Sequence, residues 1–318
     1  GQVSVSAING NPDYEFSYDG FDYDIIQVFS GLGHGQHFFT VRDSLGCIDT
    51  AFVDIIEPDA VLADNMLVTH ASCNGDDDGS ITAVISGGTI ANDYTYQWYN
   101  PNGGPAYPAN PTGILATIND LTAGIYTLNV EDDNGCEYST TAEVNQPIAV
   151  TANAFVTSSY NNTDVTCFGS CDASVQVSPA GGIPPYTSQW SSGSTNDIDQ
   201  NLCAGIYFVE VIDVNSCAFT TSVEVVEPSE VSLVIPAANV THVSCEGWST
   251  GVATVNVSGG VSTIFGYTYF WADVNDLLSP LSFTETVNSL AVGTYQVEVT
   301  DLNGCSSTAT VTINDNNA

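Results

Sequence analysis

The chain is 318 residues long, with 37 acidic residues against a single Lys or Arg, a formal net charge of -36 and a hydrophobic content of 43%. Without a basic patch to neutralise phosphates, nucleic acid and anionic membrane surfaces are excluded as partners. The apolar content excludes disorder, so the acidity reads as a surface suited to high ionic strength. In chain order the predicted elements are strands punctuated by turns. Residues 1–58 begin inside a strand at Val3-Ser-Val-Ser6 and continue through Tyr14-Glu-Phe-Ser-Tyr18, Gly35-Gln-His37 and the turn Asp43-Ser-Leu-Gly-Cys47. Residues 59–147 alternate at Ile81, Ala83, Ile85 and again at Tyr126, Leu128, Val130. Residues 148–228 do so at Ala173, Val175, Val177 and at Tyr207, Val209, Val211. Residues 229–318 end with Tyr295, Val297, Val299. Period two puts one face of each strand in a core and the other in water.

These stretches repeat one pattern: a Cys, a Gly-Gly turn, Tyr-x-x-x-Trp, Gly-x-Tyr, Asp-x-Asn-Gly-Cys, then Glu-Pro. The fullest instance runs from Cys245 through Gly259-Gly260, Tyr267 to Trp271 and Gly293-Thr-Tyr295 to Asp301-Leu-Asn-Gly-Cys305. The closing cysteines Cys47, Cys136, Cys217 and Cys305 recur every 81 to 89 residues, the length of a small all-β domain. Boundaries are expected after Glu57-Pro58, Gln146-Pro147 and Glu227-Pro228, because Pro ends ladder pairing and stiffens a junction. The expectation is four tandem immunoglobulin-like, PKD-like β-sandwich domains forming an extended rod, residues 1–58 being a degenerate, N-terminally incomplete copy.

Nine cysteines beside one Met indicate an oxidising, extracellular compartment. Matching repeat positions predict Cys73–Cys136, Cys167–Cys217 and Cys245–Cys305 within copies, with an extra bond Cys171–Cys203 in the third. Cys47 is left over: its partner is expected upstream of Gly1, the alternative being a free thiol or an intermolecular bridge. No apolar run is long enough to span a membrane and no signal peptide is present, so the chain reads as a mature protein or a piece of one.

Trp98, Trp190 and Trp271 recur at one strand position, with Tyr18 in their place in the first copy. Such recurrence favours a core aromatic packed on the domain disulfide over a surface platform for sugars. Trp248 falls outside the pattern and is the candidate exposed contact. Asp132, Asp213 and Asp301, like Asp43, open the turn before each closing Cys. They read as Asx turns or, alternatively, as calcium ligands between domains, together with Asp76 and Asp78 in Asn74-Gly-Asp-Asp-Asp-Gly79. Scattered His residues and the lack of a nucleophile or phosphate-loop motif argue against an enzyme. His70 and His242 precede opening cysteines at matched places, which suggests structural use. Two insertions, Pro101 to Gly113 and Ala272 to Thr284, are candidate binding loops.

Cys167-Phe-Gly-Ser-Cys171, Gly181-Gly-Ile-Pro-Pro-Tyr186, Gln189-Trp190, Leu202-Cys-Ala-Gly-Ile-Tyr207 and Val225-Val-Glu-Pro228 resemble the SprB repeat of giant surface adhesins of gliding Bacteroidetes. The resemblance covers copies two to four well and the first loosely. It implies a non-enzymatic segment of a long cell-surface filament exported by type IX secretion. Implied partners are neighbouring repeats, outer-membrane motility or secretion machinery, and surface polysaccharide. Asp43-Ser44-Leu45 and Asp49-Thr50-Ala51 resemble the Bacteroidetes O-glycosylation tripeptide, making Ser44 and Thr50 candidate acceptors. The alternatives are a spacer or carbohydrate-binding region of a polysaccharide-degrading enzyme, and a self-assembling structural fibre.

Overall fold

The structure, a computed structural model, describes residues 1–106, 111–245, 247–262 and 266–315. Its regular structure is antiparallel strand throughout, apart from a 3-10 turn at Ala237–Asn239. No helix among the described residues is long and apolar enough to cross a membrane. The chain condenses into two compact units. One holds Gly1–His70 and Asp77–Asn145; the other holds Ala71–Asp76 and Gln146–Ala318.

In the first unit, Leu62–Thr69, Gly79–Ser86 and Leu115–Leu121 form one sheet, and Thr95–Tyr99, Gly124–Glu131 and Glu137–Val144 another. The alternation that made these strands legible turns Ile81, Ala83 and Ile85 towards Tyr126, Leu128 and Val130, with Trp98 enclosed between them. The same unit contains the smaller first copy. There Glu15–Ser17, Gly35–Arg42 and Ile48–Ile55 form a sheet, and Gln2–Ser4 pairs with Val28–Ser30. Phe16 and Phe39 are buried, whereas Tyr18 remains 46% exposed, its hydroxyl 2.8 Å from Nδ1 of His37. The single cation, Arg42, bonds Glu15 and lies over the ring of Tyr23.

The second unit repeats the two-sheet plan. Thr151–Val156, Ala173–Ala180 and Ile198–Leu202 face Thr187–Trp190, Gly205–Ile212 and Ala218–Val225 across a core of Val175, Val177, Val209, Val211 and Trp190. In the last copy the first sheet is broken at Val255. Ser232–Val234 pairs with Asn256–Ser258, and Gly251–Thr254 lies between Val240–Thr241 and Thr286–Leu290. Opposite them Thr268–Asp273, Gly293–Thr300 and Ser306–Ile313 close over Trp271.

The Trp strand and its successor are two halves of one traverse. Thr187 pairs with Ile212 and Trp190 with Val209, so this strand covers half of Gly205–Ile212. The chain then crosses the core, and Ile198 to Leu202 pairs with Gln176 back to Ala173 on the opposite sheet. Strand Gly205–Ile212 therefore runs the full length again and delivers the closing turn to the end of the sandwich where Ala173–Ala180 finishes. That placement decides which cysteines meet.

Candidate functional site

Most of the repeated motif is structural. The carboxylate opening each closing turn accepts three backbone N–H groups. Oδ1 of Asp132 takes those of Asn134 and Cys136 at 3.0 and 2.8 Å, and its Oδ2 takes that of Thr89 at 2.8 Å. Asp213 does the same with Asn215, Cys217 and Ile183, and Asp301 with Asn303, Cys305 and Val261. Asp43 matches them through Leu45, Cys47 and Asn11. The residue held by Oδ2 follows the Gly-Gly turn, where no side chain fits. A Cβ on Gly181 would meet the Ala149 carbonyl oxygen at 2.0 Å, and one on Gly182 the Asp213 carboxylate at 2.7 Å.

The tyrosines complete this frame. In all four copies the first Tyr of the Tyr-x-x-x-Trp segment donates to the carbonyl of the preceding turn glycine: Tyr94 to Gly87, Tyr186 to Gly181, Tyr267 to Gly259 and Tyr14 to Gly10. The Gly-x-Tyr tyrosines reach back four residues, Tyr126 to Thr122, Tyr207 to Cys203 and Tyr295 to Ala291, as tyrosine corners. His37 makes the equivalent bond to Gly33 in the first copy. Tyr207→Phe removes one such bond and is expected to cost about 1 kcal/mol, measured by denaturant unfolding.

Backbone N–H donors hold Asp132 below the ordinary carboxylate value of 3.8, Thr89 and Cys136 contributing most. For Asp213, burial pushes upward, but the donors Ile183, Cys217 and Asn215 outweigh it and the net shift is downward. A carboxylate more acidic in the folded state stabilises fully above its unfolded value and loses that contribution as the pH falls through the folded one. Wild type and Asp213→Asn should therefore differ most in Tm above about pH 4, and the difference should shrink as the pH falls from 3.8 through the lower folded value. A pH-independent difference would count against this role. These backbone bonds anchor the turns, and no group of three His, Cys, Asp or Glu side chains among the described residues is placed to hold a metal ion. Asp76 and Asp78 are exposed near the start of Gly79–Ser86.

The disulfides depart from the expected pairing. Cys73 bonds Cys217 and Cys167 bonds Cys305, both with Cα atoms 5.6 Å apart, so each opening Cys joins the closing Cys of the following copy. Cys171 bonds Cys203 inside the third copy. Cys47, Cys136 and Cys245 are free, exposed thiols. In-copy pairs Cys73–Cys136, Cys167–Cys217 and Cys245–Cys305 are thereby corrected, and the reason is distance. Cys167 and Cys171 precede strand Ala173–Ala180, while Asp213 and Cys217 sit by Gly182 beyond its far end. Eight residues of strand separate the two ends by about 25 Å, whereas a disulfide needs its Cα atoms within about 7 Å. Trp98, Trp190 and Trp271, at most 1% exposed, lie inside the three apolar cores.

Each junction is reinforced by an amide. Asn303 Nδ2 donates to the Thr166 carbonyl at 2.9 Å, and Cys305 Sγ lies 3.2 Å from that oxygen. Asn215 Nδ2 and Cys217 Sγ approach the Ser72 carbonyl at 2.9 and 3.4 Å in the same way. The loop bearing each opening Cys is tied back by the residue after its copy's last strand. Asn145 N–H donates to His70 Nδ1, Val226 N–H to Asp164 Oδ2 and Asn314 N–H to His242 Nδ1. Sequence reasoning missed the role of this Asn because a turn residue is the commoner use of Asn there.

Elsewhere Trp248 is 60% exposed, as are Leu278 and Phe283 of the second insertion at 92% and 67%. The first insertion falls partly outside the described residues. Ser44 and Thr50 are exposed. A groove of about 640 Å³ in the second copy is lined by Tyr96, Tyr99, Tyr138, Gln97, Asn129 and Glu131.

Fold and junctions together define a tandem β-sandwich chain cross-linked from copy to copy. The sequence model of the SprB repeat matches residues 68–103 and 159–195. None of the curated proteins compared with the chain matches it. Among solved structures it is similar to the three N-terminal domains of the bacteriophage RB49 highly immunogenic outer capsid protein (Hoc), at 14% identity and TM-score 0.35, covering 81% of this chain and 99% of that one. It is also similar to a tetra-tandem repeat in the extending region of a large adhesion protein, at 12% identity and TM-score 0.31, covering 98% and 92%.

Proposed function

We propose that the chain is a load-bearing, non-enzymatic stalk of a long extracellular surface filament that attaches cells to surfaces or polysaccharide. The reading extends to export by type IX secretion and to four repeats bounded at 1–58, 59–147, 148–228 and 229–318. The SprB match and the disulfides, which need an oxidising compartment, support it. The net charge of -36 would keep neighbouring filaments apart.

The observation that carries the proposal is the interleaving of the disulfides. Under tension from both ends, the shortest covalent route leaves Cys73 for Cys217, runs back through Cys203 and Cys171 to Cys167, and departs at Cys305. It uses about 100 residues of the chain, so full extension stops near roughly 350 Å instead of about 1,100 Å. Pairing within copies would allow about 500 Å. Pulling single molecules before and after reduction tests this. A short stop that lengthens about threefold on reduction supports a load-bearing stalk, and equal extension in both states would refute it.

A further inference from the structure

We infer that Cys245 and Cys136 are the two halves of a further staple: Cys245 receives the closing Asp-x-Asn-Gly-Cys turn of another repeat, and Cys136 is such a turn awaiting an opening loop. This does not depend on the adhesive reading. Its basis is that the occupied form of the site occurs twice in the same molecule, at Cys73–Cys217 and Cys167–Cys305.

The receiving side is already formed at Cys245. Its carbonyl accepts the N–H of Trp248 at 3.1 Å, as that of Cys167 accepts Ser170 at 3.0 Å and that of Cys73 accepts Asp76 at 3.3 Å. Two residues upstream, Val243 is buried as Val165 and Ala71 are, and His242 is tied to Asn314 as His70 is to Asn145. The carbonyl of Ser244 therefore holds the position at which those of Ser72 and Thr166 accept an incoming Asn, while Cys245 is exposed.

The inserting side is equally formed at Cys136. Gly135 N–H donates to the Asp132 carbonyl and Asp132 N–H to that of Cys136, at 3.0 and 3.1 Å, as in the turns at Cys217 and Cys305. Asn134 stands where Asn215 and Asn303 supply the junction amide. Cys47 differs, since Leu45 replaces that Asn and removes the donor. Its turn is the weaker inserting group.

The bond forms by exchange with a small-molecule disulfide such as oxidised glutathione. The Cys245 thiolate attacks one glutathione sulfur and expels a glutathione thiolate. The incoming Cys thiolate then attacks the Cys245 sulfur and expels the second glutathione. Two thiols become one disulfide, and glutathione disulfide is reduced to two thiols.

The test equilibrates the full chain, in a glutathione redox buffer, with a backbone-cyclised hairpin of sequence Gly124–Val144 as probe. Adducts at Cys47, Cys136 and Cys245 are then counted by peptide mass spectrometry. Capture at Cys245 should exceed that at Cys136 and Cys47 by roughly tenfold, as a hydrogen-bonded junction supplies. A probe carrying Asn134→Ala should lose most of that preference. Equal capture at the three thiols, or a preference untouched by Asn134→Ala, would overturn the inference.

Discussion

Replacing Trp190 by Ala should cost the third copy about 3–5 kcal/mol, most of the stability of a small domain. The indole is 1% exposed, belongs to the core shared by both sheets, and donates through Nε1 to the Asn196 carbonyl at 2.9 Å. Truncation leaves a void at the point where the chain crosses from one sheet to the other, and strips Asn196 of its partner. Trp190→Phe should cost less, since it fills most of the void. Denaturant unfolding of both variants checks this. An unchanged midpoint for the Ala variant would place the ring on the surface, as a sugar platform would require.

Cys167→Ser should produce a large mechanical change. Without the bond to Cys305 the covalent route no longer doubles back, and the extended length rises from roughly 350 Å to about 600 Å. The lost loop closure, about 140 residues, is worth roughly 5 kcal/mol in the chain-entropy account. Thermal unfolding should therefore fall for the third and fourth copies together. Force extension and calorimetry read the two effects separately, and a variant with wild-type extension would show that Cys167 carries no load.

The fold was largely legible because its signals are local. Alternation at Ile81, Ala83 and Ile85 and at Val209 and Val211 names the inward faces, and recurrence of Trp98, Trp190 and Trp271 names the centre of each core. The motif's tyrosines and Gly-Gly turns recur because the same hydrogen bonds recur. Tyr18 shows the limit of that reasoning. It holds the Trp register, yet the first copy offers no second three-stranded sheet to cover it.

The cysteine junction was not legible, for a topological reason. Repetition marks Cys167 and Cys217 as equivalent to Cys245 and Cys305, but it does not say at which end of the sandwich each one lies. That depends on Thr187–Trp190 and Ile198–Leu202 sharing one traverse on opposite sheets, and periodicity reads them simply as two strands. A sequence clue did exist. The Asn of the closing turn recurs in three copies at a position where the turn itself does not require it, and its partner is the carbonyl before an opening Cys.

Disulfide mapping of the unreduced chain, by proteolysis and mass spectrometry, tests the copy-to-copy cross-link most directly. Linked peptides joining Cys73 to Cys217 and Cys167 to Cys305 are the predicted result. Peptides joining Cys73 to Cys136 and Cys245 to Cys305 would contradict it.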